Sequence, residues 1–458
     1  MDVVILAAGK GTRMKTNLLK VLHKVGGKTL LEHVVALSKK IKASRSVIVV
    51  PDHNTSIQET LQDNTLIYAV QKKQLGTGDA LKAALSCIKK TSREILVMNG
   101  DMPFVSSSSI TKLLQTHRKN KATVTILTVH VQKENGFGRI IRDGKGAVTG
   151  IVEVKDATKE QLNITETNVG VYLFDADFVN KSIASLQNRN AQKEYYITDL
   201  IALAVKKNHT VCGVPLKDHE ESLGVNSQMD LACLNDVFYK RQRFKFMSDG
   251  VSILGSEVFI DADVRIGSGS VLMSPCYLQG ATKLGQNVVI ETGCFIKDSQ
   301  IDANVHMKAY CYVTESRMAQ GCQIGPFAHL RPKTELAADV KIGNFVETKK
   351  SKINAKSKVS HLSYIGDALI GKNVNIGAGT ITCNYDGYTK FETILDDDVF
   401  IGSDTQLVAP VHVGRGAFVG AGTTVTKDVA PDSLAVSRVQ QKEIHGWAKH
   451  KRKKYSAK

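Results

Sequence analysis

The sequence predicts a protein of α/β plus β class. An N-terminal Rossmann-like domain, a mostly parallel sheet with helices on both faces, is followed by a C-terminal left-handed parallel β-helix of hexapeptide repeats. Three observations lead there. Aliphatic residues stand six apart at Ile260, Ile266, Leu272, Leu278, Leu284, Ile290 and Ile296, and again at Leu395, Ile401, Leu407, Val413, Val419 and Val425. Ahead of them, segments of strand character alternate with segments of helical spacing, the pattern of a parallel sheet. The length of 458 residues, 42% of them hydrophobic, is ample for two separate cores.

A period of six fits neither the 3.6 of a helix nor the 2 of an ordinary strand, so it requires a coil with flat faces. Each hexad supplies one face and one inward aliphatic side chain, and three hexads close a triangular turn. The beat persists between the two runs with slips of phase: Ile301, Met307, Val313; Ile324, Leu330, Leu336, Ile342; Ile353, Val359, Ile365; Ile370, Ile376. Each slip is expected to mark a bulge or loop. The largest interruption, Cys383 to Phe391, is polar and must leave the prism; it either carries binding chemistry or decorates an inert solenoid.

The eight cysteines form no C-x-x-C pair. Cys276, Cys294, Cys311 and Cys322 share one slot of the hexad, and the first three are expected to stack as small, reduced core residues, which speaks against zinc and disulfides.

In the N-terminal half, strands are expected at Val3 to Ala8, Ser46 to Val50, Glu94 to Asn99, Ala122 to Val129 and Thr167 to Phe174, with helical spacing from Leu30 to Lys40 and from Asp79 to Ile88. A further helix is expected to begin at Ser227, where Asp230 can complete a capping box, to bury Leu231, Leu234 and Phe238, and to stop at Gly250. The domains are accordingly 1–228, a helical linker 229–250, and 251–458 with a basic tail.

No apolar run approaches the roughly 20 residues of a membrane span, and the N-terminus reads as a strand, not a signal segment; the expectation is a cytoplasmic protein without membrane partners. The net charge of +17 is concentrated in part in the tail from Lys449 to Lys454, with no aromatic-interleaved basic stripe, which argues against nucleic acid. A positive excess also suits anionic small molecules.

The first strand runs into Leu6-Ala7-Ala8-Gly9-Lys10-Gly11-Thr12-Arg13-Met14, followed by Lys20. Small residues after a strand let backbone N–H groups approach phosphate oxygens, and Arg13 and Lys20 can balance phosphate charge. The stretch is neither a Walker A loop nor the usual dinucleotide fingerprint. On spacing alone a tight structural turn fits nearly as well. The later pieces change that: Gln71, Gly76-Thr77, Gly100-Asp101, Gly136-Phe137-Gly138-Arg139, Glu153, Asn168, Glu194 to Asp199 and Gly224-Val225-Asn226 arrive in the order of the sugar-nucleotide pyrophosphorylases, a nucleotidyltransferase family that this half resembles. In the β-helix stand Arg331-Pro332, Asn344 to Glu347, His361 to Tyr364, Asn375 to Thr380 and Asn384 to Gly387. With these, the chain over essentially its whole length resembles the bacterial family of bifunctional N-acetylglucosamine-1-phosphate uridyltransferases/glucosamine-1-phosphate N-acetyltransferases.

The resemblance implies that the first domain couples UTP to N-acetylglucosamine 1-phosphate and releases pyrophosphate. The sugar phosphate is already anionic, so this chemistry needs alignment and charge compensation, not a general base. By the same resemblance Leu6, Ala7, Ala8, Gly9, Gln71, Gly76 and Thr77 hold the uridine side, with Asn99 and Gly100 beside them. Lys20 assists the phosphates, Gly138, Glu153 and Asn168 hold the aminosugar, and Asp101 and Asn226 are hard oxygen ligands for Mg²⁺. In isolation, Asp101 would read as a strand-end carboxylate capping a helix.

The β-helix would run the preceding step, acetyl transfer from acetyl-CoA to glucosamine 1-phosphate. An attacking amine must be neutral, and the ordinary pKa of histidine suits the task of a base, which the resemblance gives to His361. A lone histidine is more often structural. Arg331 and Lys349 would bind the sugar phosphate, with Lys390 adding charge, and Tyr364 and Asn375 the sugar. Ala378, Asn384, Tyr385, Ser403, Ala421 and Arg438 would form the acetyl-CoA side, Asn384 and Ser403 orienting the amine and polarising the thioester. The resemblance also implies a homotrimer, and a product, UDP-N-acetylglucosamine, that supplies peptidoglycan and outer-membrane lipopolysaccharide synthesis. Two positions depart from the family pattern: Leu19 replaces a proline before Lys20, and Asn99 replaces an aromatic before Gly100-Asp101. Rival readings are a single-function pyrophosphorylase with an inert β-helix, and a non-catalytic regulatory subunit, which would be expected to lack Lys20 or Asp101.

Overall fold

The computed structural model describes residues 1–88, 92–131 and 136–455. The chain divides into two compact units, Met1–Phe238 and Tyr239–Lys458, the division falling within the helix Gln228–Ser248.

The first unit is built on one sheet whose main path runs Val211–Pro215, Val124–His130, Glu166–Asp175, Glu94–Asn99, Asp2–Leu6, Arg45–Pro51, Leu66–Gln71. All neighbours are parallel except Glu166–Asp175, which lies antiparallel to both strands beside it. A ribbon of Arg139–Arg142 and Val148–Val152 joins at Thr167. Strand residues are apolar in both alternations: Val3 and Ile5 enter one core with Leu31, Val35 and Leu113, while Val4 enters the other with Leu81, Val97 and Phe174. A strand buried on both faces needs helices on both, and the helices Leu30–Lys40, Thr77–Ser86, Ser107–Lys119 and Asp199–Lys206 supply them. The helix Leu30–Lys40 starts where a capping box allows it: Thr29 accepts from the Glu32 backbone N–H, and Glu32 accepts in return from that of Thr29.

The five expected strands and two expected helices are present, Glu94–Asn99 and Leu30–Lys40 with the expected bounds and the others with ends shifted by one or two residues. Leu66–Gln71, Val211–Pro215 and the ribbon were not anticipated. The capping box of the helix Gln228–Ser248 forms as expected: Ser227 Oγ accepts from the Asp230 N–H, and the Asp230 carboxylate accepts from the N–H groups of Asn226 and Ser227. Leu234 is buried, Leu231 and Phe238 pack against the same small core, and Gly250, at φ 85°, follows the helix end.

The second unit is the parallel β-helix of hexapeptide repeats. The ladders between its strands are parallel, and most successive coils stack residues 17 or 18 apart, the last stacking Phe418 on Leu434. One continuous core runs along its axis and contains the repeating aliphatic residues, with Ile266 only partly buried at its margin. The slips of phase are a correction to expectation: most are coils one residue shorter, not loops, as where Phe295 pairs with Tyr312 and His306 with Gln323. Met318, Thr348 and Thr382 fill inward slots that an aliphatic reading skips. The threonines are satisfied there: Thr348 Oγ1 lies 3.0 Å from Thr334 Oγ1, and Thr382 Oγ1 accepts from the Gly366 N–H at 2.8 Å. Cys276 pairs with Cys294 in register, and these two with Cys311 and Cys322 are buried free thiols. Between Asn375 and its coil neighbour Phe400 the chain makes a long excursion, a small antiparallel turn closed by Tyr385 against Lys390.

Candidate active sites

Parallel strands bring their C-terminal ends to one edge of the sheet, where open α/β sheets bind ligands. There Leu6, Gln71 and Asn99 end three strands, and a cavity of about 640 Å³ opens. It is lined by Leu6, Ala8, Gly9, Lys20, Gln71, Gly76, Thr77, Asn99, Asp101 and Asn226 among the expected residues. Ala7 is buried, its N–H donating to Val49, and Gly100 donates to the Leu6 carbonyl, so both stand behind the wall. The loop from Lys10 to Arg13, with Gln74, Gly136, Phe137 and Glu194, also lines it.

The polar floor is a connected group. Lys20 Nζ forms an ion pair with Asp101 Oδ2 and lies 3.4 Å from Asn226 Oδ1, which also accepts from Arg13 Nη2 at 3.0 Å. Gly11, at φ 60°, lets the loop close over Lys20: a Cβ there would come within 2.8 Å of Lys20 Cβ. Leu19 adopts φ −57° and ψ 136°, a conformation a proline would also take, so the departure leaves the approach to Lys20 unchanged in shape. Gln71 Nε2 donates to the Gly76 carbonyl and to Asp79. Gly76 has φ 109° and runs so close to Tyr195 that a Cβ would lie 2.6 Å from its carbonyl oxygen. Thr77 Oγ1 accepts from the Ile197 N–H, which ties the motif Glu194 to Asp199 to this wall. Asn99 lies over Gly170, with Nδ2 3.9 Å from Met102 Sδ. An aromatic there would have to find other space.

Gly138, Glu153 and Asn168 line no part of the cavity floor but stand together. The Asn168 N–H donates to the Gly138 carbonyl at 2.8 Å, and the Gly138 Cα is close to the Glu153 carboxylate. Asn168 Nδ2 donates to Tyr172 Oη at 2.6 Å, and Thr198 Oγ1 to Glu153 Oε1 at 3.2 Å. Burial pushes the Glu153 carboxyl up from its ordinary range, and the charges of Asp156 and Asp199 push it the same way.

In the β-helix the coil period assembles a second site. Glu347 pairs in register with His329 and Tyr364, and Lys349 with Gly366. Arg331 Nη1 donates to Glu347 Oε1 at 2.7 Å. Lys390, brought over by the excursion, sets its ammonium against that of Lys349, and the two cations Lys390 and Arg331 together pull the Lys349 ammonium below its ordinary range. Lys349 and Lys390 thus face each other near Arg331, whose guanidinium is paired with Glu347, and an anion placed there would relieve the repulsion between the ammoniums. Tyr364 Oη lies against Gly366, where a Cβ would meet it at 2.4 Å.

His361 stacks on Asn344, with Nδ1 2.6 Å from Asn344 Oδ1. Asn375 and Ala378 share one coil, and Ser403, Ala421 and Arg438 follow on the coils after it. Asp404 N–H donates to the Ala378 carbonyl and Gly422 N–H to that of Ser403, and the Arg438 side chain reaches Gly420 and Gly422. Asn384 is buried at the root of the excursion, and Tyr385 is exposed on it, with Oη donating to the Gly387 carbonyl at 2.5 Å. Sequence reasoning gave no role to Asn344, Glu347 or Asp367, which hold His361, Arg331 and Asn384 respectively. Their signal was the coil period: the His361 and Asn384 partners are each 17 residues back.

Comparisons with known proteins agree with this division. The nucleotidyl transferase family matches residues 2–222, the GMPPB C-terminal domain matches 254–343, and the hexapeptide repeat of succinyl-transferase matches 393–427. Curated relatives align end to end. The chain is 43% identical to a protein of Geotalea uraniireducens over 98% of each chain, and 45% identical to one of Syntrophotalea carbinolica over 98% of this chain and 96% of the relative. It is 42% identical to one of Marinobacter nauticus over 99% of each. All three bear the name bifunctional protein GlmU.

Proposed function

We infer the activity of this chain from the family to which it belongs, the bifunctional GlmU proteins: it is a bifunctional transferase that makes UDP-N-acetylglucosamine. The β-helix transfers acetyl from acetyl-CoA to glucosamine 1-phosphate, and the first domain then transfers uridylyl from UTP to the product, releasing pyrophosphate. End-to-end alignment at 42–45% identity across both catalytic units carries this reading. The product feeds peptidoglycan and lipopolysaccharide synthesis. No helix among the described residues is long and apolar enough to cross a membrane, in keeping with a cytoplasmic enzyme.

For uridylyl transfer, the sugar-phosphate oxygen attacks the α-phosphorus of UTP and pyrophosphate leaves. Lys20 and Arg13 supply positive charge at the cavity floor, the Gly-rich loop supplies backbone donors, and Gln71, Gly76 and Thr77 form the wall against the base. Gly138, Glu153 and Asn168 receive the aminosugar. A divalent ion fits the donor set: the Asp101 carboxylate and the Asn226 amide oxygen both reach Lys20 Nζ and so flank one point, and Mg²⁺ takes its remaining ligands from water and phosphate. When bound, that ion would neutralise phosphate charge and polarise the α-phosphate.

For acetyl transfer, Arg331, Lys349 and Lys390 hold the sugar phosphate and Tyr364 and Asn375 the ring. His361 takes a proton from the amine, whose lone pair attacks the thioester carbon; the C–S bond breaks as the amide forms, and the resulting imidazolium returns its proton to the departing coenzyme A thiolate. With Nδ1 engaged by Asn344, Nε2 is the basic nitrogen. Ala378, Tyr385, Ser403, Ala421 and Arg438 line the acetyl-CoA side. A homotrimer, with its flat-faced prisms side by side, is the assembly we propose.

The test is direct. Purified chain given glucosamine 1-phosphate, acetyl-CoA, UTP and Mg²⁺ releases free thiol first and pyrophosphate second, and yields UDP-N-acetylglucosamine. Pyrophosphate release from N-acetylglucosamine 1-phosphate without any thiol release from glucosamine 1-phosphate would reduce the chain to a pyrophosphorylase.

A further inference from the structure

We propose that Asp367 is a positioning residue for acetyl transfer, fixing the Asn384 amide so that its oxygen, and not its NH2, is presented to the amine of the sugar. The proposal rests on the acetyltransferase reading above.

Asp367 and Asn384 stand one coil apart and are both buried, at 6% and 7% exposure. Asn384 Nδ2 donates to Asp367 Oδ2 at 2.6 Å, and Lys350 Nζ lies 3.0 Å from the other carboxylate oxygen. A carboxylate beside a lysine ammonium can only accept, so the amide has one permitted orientation: nitrogen toward Asp367, oxygen away from it. Among the described residues no group donates to Asn384 Oδ1, which is left as a free acceptor. Asp367 holds φ 49°. An L-residue there costs energy that the surroundings must offset.

Orientation decides chemistry at this position. An Asn that offered its NH2 could polarise a thioester oxygen; one that offers only its carbonyl accepts from an amine N–H. The neutral amine has two protons: His361 receives one, and Asn384 Oδ1 holds the other, so the lone pair is aimed instead of rotating. Donation to the thioester oxygen then falls to other groups, of which Ser403 is the candidate side chain.

The experiment compares Asn384→Ala, Asn384→Asp, Asp367→Asn and the double variant Asp367→Asn/Asn384→Asp, with uridylyl transfer and thermal melting as checks of folding. With Asp367→Asn both amide orientations become possible, and kcat for acetyl transfer is expected to fall roughly ten- to hundredfold while the KM for acetyl-CoA holds. Asn384→Asp sets two buried carboxylates together and falls further. In the double variant donor and acceptor trade places: the new amide donates to one carboxylate oxygen, and the other remains an acceptor toward the sugar. It is expected to recover at least about tenfold over Asn384→Asp alone, which a merely structural pair would not do for kcat.

Loss in Asn384→Ala with none in Asp367→Asn overturns the positioning role, as does a double variant no better than Asn384→Asp. Near-normal acetyl transfer in Asn384→Ala instead overturns the reading of Asn384 itself. Should Asp367→Asn not fold, Asp367→Glu keeps an acceptor displaced by one methylene; a lower kcat at constant acetyl-CoA KM supports the proposal, and an unchanged kcat overturns it.

Discussion

Asn344 precedes His361 by one coil and meets it side by side, with its Oδ1 2.6 Å from the imidazole Nδ1. An oxygen at that nitrogen fixes the proton on Nδ1 and leaves the lone pair on Nε2. His361 is exposed, so packing does not hold the ring and the amide must. Asn344→Ala is therefore expected to lower kcat for acetyl transfer by a substantial part of the ~10²–10⁴-fold that general-base catalysis is worth, with uridylyl transfer unchanged. Asn344→Asp places a carboxylate against the ring, favours the imidazolium, and moves the acid limb of the pH–rate profile to higher pH. An unmoved limb would mean the pair does not act on the base.

Glu153 gives a pH-dependent prediction. Its carboxyl is raised by burial, so ionising it costs stability: the folded protein is favoured below the ordinary carboxylate range, and that advantage is lost as pH rises through the raised value. Glu153→Gln removes the cost. Its melting temperature is expected to exceed that of the wild type near neutrality and to converge with it in acid, while the KM for N-acetylglucosamine 1-phosphate rises. A variant less stable than the wild type at neutral pH would contradict the assignment of burial as the dominant cause.

The buried thiols provide a check of the β-helix core. Burial pushes the Cys276 thiol up to about 12 and that of Cys322 up to about 11, so neither forms thiolate near neutrality. Alkylation of the native protein is expected to mark the exposed Cys87 and Cys233 quickly and Cys276, Cys294, Cys311 and Cys322 only on unfolding. Rapid marking of Cys276 in native protein would contradict the stacked core.

Much of the β-helix was legible because its beat is carried by aliphatic residues, whose burial depends on little else. Thr348 and Thr382 broke the beat without breaking the coil, because each hydroxyl found a partner inside. The sheet edges were harder: Leu66–Gln71 mixes buried and exposed positions, and Val211–Pro215 carries a glycine and ends in proline, so neither shows a clean alternation. At the sites, motif letters led to most of the residues that line the cavity, and also to some buried behind it, such as Ala7 and Asn168. The supporting groups, Asn344, Glu347 and Asp367, lie one coil away, where linear spacing carries no meaning until the period of the coil is known.

The central claim is that two complete sites on one chain act in sequence through an intermediate that leaves one and enters the other. Its most direct test is a mixture of two variants, Asp101→Ala and His361→Ala, supplied with glucosamine 1-phosphate, acetyl-CoA, UTP and Mg²⁺. Asp101→Ala alone is expected to stop at N-acetylglucosamine 1-phosphate, and His361→Ala alone to make UDP-N-acetylglucosamine at least about 10²-fold more slowly than the wild type. Mixed, they are expected to restore steady formation of UDP-N-acetylglucosamine. If either folded variant loses both activities, or the mixture makes no more product than the better variant alone, the account of two independent sites is wrong.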